Sequence, residues 1–164
     1  MSGQASAAAP WLTPEQGQLC LRILASHHRA FATPLLAGEQ LLAGQWQHLA
    51  QELFAADTVV LAHDGGADPR LIYANAAALR LWERPWAALV GMRSRLTAEP
   101  EQRPARAAML EQARAGQALR GYNGIRISAS GRRFQIRNAR LWSLLDDGGR
   151  ACGQAAAFAD WYWL

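Results

Sequence analysis

The last third of the chain constrains the fold most. Three runs suited to extended structure, Tyr122 to Ser128, Arg133 to Leu145 and Cys152 to Phe158, are separated only by turns at Ser130-Gly131 and at Asp146-Asp147-Gly148-Gly149. Gly, Asp and Ser are the residues that tight turns require, so each run must pair with the one before it. The result is an antiparallel meander. Such a sheet is stable only if something apolar covers it, and the preceding sequence has to supply that cover.

Two further strands and several helices precede the meander. Thr58-Val59-Val60-Leu61-Ala62 reads as a buried strand, ended by the turn chemistry of His63-Asp64-Gly65-Gly66-Ala67-Asp68-Pro69. Leu71-Ile72-Tyr73 is a second, close enough to pair antiparallel with the first. Asn75 then opens a helix as its cap, with Ala78, Leu79 and Trp82 on the buried side, and Pro85 starts a further turn through Leu89 that Gly91 stops. Arg103 to Ala118 is the next helical stretch, with Ala107, Leu110 and Ala113 or Arg114 placed inward. At the N-terminal end, Thr13-Pro14-Glu15-Gln16 reads as a helix start. Leu19, Cys20, Ile23, Leu24, His27 and Phe31 form one apolar stripe until Pro34. Leu42, Trp46, Leu49 and Leu53 form a narrow seam on a second helix.

Composition limits the class. At 164 residues with 51% hydrophobic residues and seven Trp, the chain can bury one core. No run approaches the roughly 18 apolar residues of a membrane span. All 17 basic residues are Arg, giving a net charge of +4, a bias that a GC-rich genome also writes. Cys20 and Cys152 match no CxxC pattern, consistent with a reduced, cytoplasmic protein. Met1 to Pro10 lacks the charged and apolar regions of a secretory signal. The expected division is a disordered tail over 1–12, a helical segment over 13–54 and one domain over 55–164.

The order of these elements, and the residues Leu71-Ile72-Tyr73-Ala74-Asn75-Ala76-Ala77-Ala78 followed by Trp86-Ala87-Ala88-Leu89-Val90-Gly91, resemble the PAS pattern in which "I-x-Y-x-N-x-A" enters a helix and closes on "x-x-E-L-I-G". With Ile23 to Arg29 upstream and Gly153-Gln154-Ala155-Ala156 near the end, the whole chain resembles a bacterial MEKHLA-domain protein. That PAS-related family also occurs at the C-terminus of certain plant homeodomain-zipper proteins. The resemblance implies an α+β fold: a five-stranded antiparallel sheet, short helices over its concave face enclosing a pocket, and N-terminal helices that cap the other face or mediate a dimer. A fold does not carry a function with it, so the pocket chemistry is argued residue by residue.

Light-sensing PAS proteins form a flavin–thiol adduct within an Asn-Cys-Arg-Phe-Leu-Gln motif. Here Arg93-Ser94-Arg95-Leu96-Thr97-Ala98 stands in its place. Only Arg95 matches, and the Ser94 hydroxyl is a far poorer nucleophile than a thiol. The photoadduct is argued against, while Arg95 stays available to meet a phosphate of a non-covalently held flavin. Haem-sensing relatives take an axial His from the long helix, which here has none; Met109 reads as core and His63 as a turn residue. His27 and His28 point ~100° apart on a helix and so do not share one ion. No catalytic pair is nominated.

The long strand is the unusual one. Alternation from Phe134 puts Ile136, Asn138, Arg140, Trp142 and Leu144 on one face, which sets Asn138 and Arg140 as converging polar groups on an apolar wall. A β-bulge would break this parity and leave Arg140 in solvent. Tyr122 and Arg126 on one neighbouring strand and Gln154 on the other complete the candidate set, so the ligand-binding residues are Asn138, Arg140, Trp142, Arg95, Tyr122, Arg126 and Gln154. Nucleic-acid binding by Arg126, Arg132, Arg133, Arg137 and Arg140 is disfavoured, because too few aromatics are left exposed for stacking.

The expectation is a stand-alone sensory or small-molecule-binding module that acts through a protein partner or homodimer. It has no room for an output domain after Trp161-Tyr162-Trp163-Leu164. That tail and the Leu42/Trp46/Leu49/Leu53 seam are candidate contact surfaces or simply parts of the core. A small enzyme using the same pocket and an interaction module with a filled pocket remain alternatives.

Overall fold

A computed structural model describes residues 9–39 and 44–164. The sheet runs β1 (Val59–Asp64), β2 (Leu71–Ala74), β3 (Ala118–Ile127), β4 (Arg133–Leu145), β5 (Ala151–Phe158) and β6 (Asp160–Trp163). All pairings are antiparallel. The order across it is 2-1-5-4-3, with β6 paired to the first part of β4. The meander and the first hairpin are thus as expected. The strand at 160–163 is additional: β5 breaks at Ala159, and the chain continues along Phe134 to Arg137 of the same neighbour.

Helices cover both faces. On one lie α1 (Pro14–Phe31) and α2 (Trp46–Ala55). Thr13 caps α1 by accepting from the Gln16 N–H at 3.2 Å, and Ala32 in the left-handed conformation ends it. Cys20, Ile23, Leu24, His27 and Phe31 pack on Val60, Ala62, Trp142, Leu144, Ala155 and Ala157 of the sheet. The apolar stripe read from spacing is the buried face. α2 docks on α1 through Leu49, Ala50 and Leu53 and lays Trp46 across Gly17, where a Cβ would collide with the indole. The described part of the Trp46/Leu49/Leu53 seam is therefore spent inside the molecule, and Leu42 lies outside the described residues. The tail expected over 1–12 is ordered in its described end: Pro10–Leu12 make a single turn, and Trp11 stacks on Phe54 at 3.6 Å between ring centroids. A large aromatic stacked on Phe54, which is buried beneath it, removes enough apolar surface to hold this short segment.

On the other face lie α3 (Ala76–Trp82), α4 (Trp86–Leu89) and α5 (Arg103–Gly116). Trp82, fully buried, meets Phe134 edge-on at 5.1 Å and Phe158 at 6.3 Å. α5 turns directly into β3 through a left-handed Gln117, which is why that strand begins four residues before the expected Tyr122.

Asn75 joins these layers. Its side chain is wholly buried and uses its full valence: Oδ1 accepts from the N–H of Val60 (3.0 Å) and of Ala78 (3.2 Å), while Nδ2 donates to the carbonyls of Thr58 (2.7 Å) and Leu53 (3.2 Å). One amide thus caps α3, fixes the start of β1 and holds the end of α2. Asn75→Ala is expected to cost about 2–4 kcal/mol, since it leaves several buried backbone groups unpaired, as measured by urea unfolding.

His27 gives a second test. It is fully buried, with Nδ1 3.0 Å from the Thr33 carbonyl and Nε2 without a partner among the described residues. Burial first, and then the charges of Arg140, Arg120 and His28, push it down to about 4, the Thr33 carbonyl opposing them. The unfolded chain takes up this proton nearer 6.5, so the stability contribution is complete above that pH and is lost as pH falls toward 4. Thermal melts are expected to show this loss, and His27→Leu to flatten it.

Candidate functional site

The Asn138 backbone decides which side chains can meet. Its φ is 54°, in the left-handed region, and its N–H donates to Asn123 Oδ1 at 2.9 Å instead of continuing the ladder. This bulge lies where the partner of β4 changes from β6 to β5. Phe134 and Ile136 face α3–α5, and after the bulge Ala139 and Leu141 do so, whereas Trp142 and Leu144 face α1. The single-face parity predicted from Phe134 to Leu144 is thereby broken. Arg140 is half-buried on the α1 side, where both it and Arg120 approach the Phe31 ring, at 5.8 and 4.7 Å. Trp142 is core, edge-on to His27 and Phe31. Asn138 and Arg140 instead line a separate surface depression with Arg120 and Asp160. Arg95 is also apart, outside the sheet's concave face, with its Nε 3.1 Å from Asp68 Oδ1.

Tyr122, Arg126 and Gln154 are brought together. They line a cavity of about 60 Å³ between the concave face and α5, with apolar walls that include Leu61, Met109, Ile136, Leu141 and Phe158. Arg106 of α5 and His63 of β1 complete its polar lining. Arg126 is 5% exposed, donating from Nη1 to the Ile125 carbonyl at 2.8 Å and from Nη2 to the Tyr122 hydroxyl at 3.3 Å. Among the described residues neither Arg106 nor Arg126 has a carboxylate within ion-pair distance. Burial first and the neighbouring Arg126 second push Arg106 down to about 10, still a cation at neutral pH. His63 Nδ1 is 2.8 Å from the Asp64 carbonyl, which can only accept. Nδ1 therefore carries the proton, and Nε2 is a bare acceptor, buried and without a partner among the described residues. Burial above all, with help from the charge of Arg106, lowers the pKa of His63 and keeps it neutral.

His63, Arg106, Leu110 and Gln154 also line an outer groove of about 690 Å³ that includes Arg95, Arg103 and Arg114. These four residues form the wall between the groove and the cavity. Gln154 Nε2 donates to the Leu110 carbonyl at 2.9 Å and so pins α5 to β5 across that wall.

The sequence patterns do not mark Arg106 or His63 as site residues. Arg106, Met109, Leu110 and Ala113 stand at helical spacing, but an inward face built on Ala107 and Leu110 hides the arginine. Ala107 is in fact exposed. His63 does make the expected backbone contact, and its other nitrogen was not legible from a turn signal.

The sheet order, the helices over its concave face and the cavity beneath them define a PAS-like domain. An RNA-binding light-oxygen-voltage receptor superposes with a TM-score of 0.60 at 22% identity, over 76% of this chain and 35% of that one. A PAS domain from Colwellia psychrerythraea gives 0.60 at 10% identity, over 71% and 93%. A light-oxygen-voltage domain studied with a flavin analogue gives 0.56 at 16%, over 71% and 84%. This chain therefore spans about a third of the RNA-binding receptor. The MEKHLA domain profile matches residues 17–163, and the chain belongs to that family. No curated protein matches it.

A flavin or haem does not fit the interior as it stands. Small-molecule pockets for such groups run to roughly 300–1,000 Å³, and here Trp82, Met109 and Phe158 occupy the space. Ser94, at the position of the adduct-forming thiol, is fully buried in a tight turn, and its hydroxyl has no partner among the described residues. Among the described residues no three His, Cys, Asp or Glu side chains converge as metal ligands would, and no helix is long and apolar enough to cross a membrane.

The bulge is directly testable. A β-branched residue tolerates the left-handed region poorly, so Asn138→Val is expected to cost about 1–3 kcal/mol. Asn138→Gly is expected to stay within about 0.5 kcal/mol of the parent chain. Chemical denaturation of the pair checks both.

Proposed function

We propose that this chain is a ligand-binding sensory domain, with the cavity under α5 as its binding site. The observation that carries this reading is a set of polar groups on one cavity whose needs the described residues do not fully meet: the guanidiniums of Arg106 and Arg126, which have no carboxylate partner there, and the buried Nε2 of His63, which has no hydrogen-bond partner. Burying unpaired polar or charged groups costs several kcal/mol unless something else satisfies them. A small ligand entering from the outer groove would do so. Gln154 is the natural point of response, since its bond to Leu110 lies on the dividing wall.

Output is proposed to pass to a protein partner or a second copy of the chain, in a cytoplasmic, bacterial setting. Tyr162 and Leu164, 48% and 60% exposed at the sheet's end, are the apolar groups most available for such contact. The small size of the cavity favours a second reading, an interaction module whose pocket is already filled by its own side chains.

Mass spectrometry of the freshly purified chain under native and denaturing conditions separates the two. The sensory reading expects a small mass lost on denaturation. Ala156 borders the cavity, and Ala156→Val fills part of it with a residue suited to a strand. This variant is expected to lose the bound mass while changing stability by no more than about 1 kcal/mol. A filled-pocket module would carry no such mass, and the substitution would alter stability alone.

A further inference from the structure

We infer that the ligand of this cavity is a short hydroxy acid: its carboxylate lies between Arg106 and Arg126, and its hydroxyl donates to Nε2 of His63. The inference rests on the cavity being the ligand site and adds the chemistry of what enters it.

Charge sets the first requirement. Two guanidiniums share one lining with no carboxylate among the described residues to balance them, and one of the two is almost wholly buried. A guanidinium has five N–H donors, and the described residues accept from Arg126 at only two of its nitrogens, through Ile125 and Tyr122. The cavity thus presents positive charge and spare donors. A carboxylate is the planar acceptor that matches such a fork, and it relieves the repulsion between the two arginines.

Hydrogen-bond polarity sets the second requirement. Because Nδ1 of His63 is committed to the Asp64 carbonyl, Nε2 offers only a lone pair. A carboxylate has no proton to give it, so an acid without a donor would leave Nε2 as it is, buried and unpaired. A hydroxyl next to the carboxylate supplies that proton. Size and polarity set the third: a cavity of about 60 Å³ walled by Leu61, Met109, Ile136 and Leu141 suits a short carbon skeleton better than a multiply charged, strongly hydrated anion.

The test uses the full chain, with lactate, glycolate, lactamide and propionate as probes in calorimetric and amide-resolved NMR titrations. Lactate and glycolate are expected to perturb the amides of His63, Tyr122, Arg126 and Gln154. Lactamide, lacking the charge, and propionate, lacking the hydroxyl, are each expected to bind on the order of 10–100-fold more weakly. Arg106→Gln, at a half-exposed position where Gln suits a helix, is expected to weaken lactate by a similar factor with its melting curve preserved.

Equal binding of lactate and lactamide, or an unchanged lactate affinity in a folded Arg106→Gln, would overturn the inference while leaving the cavity a ligand site. Equal binding of lactate and propionate would overturn the hydroxyl contact with His63, and with it the hydroxy-acid class. If no probe perturbs those amides the inference also fails, and the bound mass alone then decides whether the cavity is a ligand site.

Discussion

The four hydrogen bonds of Asn75 hold together parts of the chain that no other single side chain among the described residues connects. The end of α2, the start of β1 and the first turn of α3 each present backbone groups that face the interior, where water is not available to pair with them. An amide is the one side chain with two acceptor and two donor positions in a compact plane. An aspartate of the same shape would direct carboxylate oxygens at two carbonyls, and a serine would not reach all four groups. The layers on either side of the sheet therefore depend on one residue type at one position. Tyr73, two residues earlier and also fully buried, packs edge-on to Trp86 within the cluster that the N-terminal helices share with the sheet.

This dependence explains what was legible in the sequence. Capping, turn chemistry and apolar spacing are local signals, and they located Asn75, the helix from Thr13, the first hairpin and the meander, because in each case the local preference and the tertiary structure agree. The sixth strand carried no local signal. Nothing in Asp160-Trp161-Tyr162-Trp163 says that its partner is the early part of β4, since that pairing exists only because the strand before it breaks at Ala159.

The site was legible only in part, for a related reason. Tyr122, Arg126 and Gln154 converge on the cavity, although the pairing of β3 shifts register on both sides of Tyr122. Strict alternation along one strand groups Asn138, Arg140 and Trp142 with them, and a single left-handed residue moves that count to the other face. Asn adopts this conformation more readily than most residues, so the position was capable of a bulge, but its register is fixed by Asn123 on the neighbouring strand. Arg106 was missed because an arginine at an inward helical position contradicts burial preference. Such contradictions tend to mark sites, since a fold bears that cost only where another group offsets it.

The middle of β5 has a further consequence. Ala155 and Ala157 touch the α1 side, and Ala156 between them borders the cavity, so the wall separating the cavity from the N-terminal helices is one strand thick and faced with methyl groups. Alanine has no rotamers to change. Bulkier side chains would take up a small backbone displacement by turning about χ1, but here that slack is missing, and any shift of β5 arrives undiminished at the surface on which Ile23, Leu24 and Phe31 rest. Mechanically, β5 is a stiff diaphragm between two differently loaded compartments.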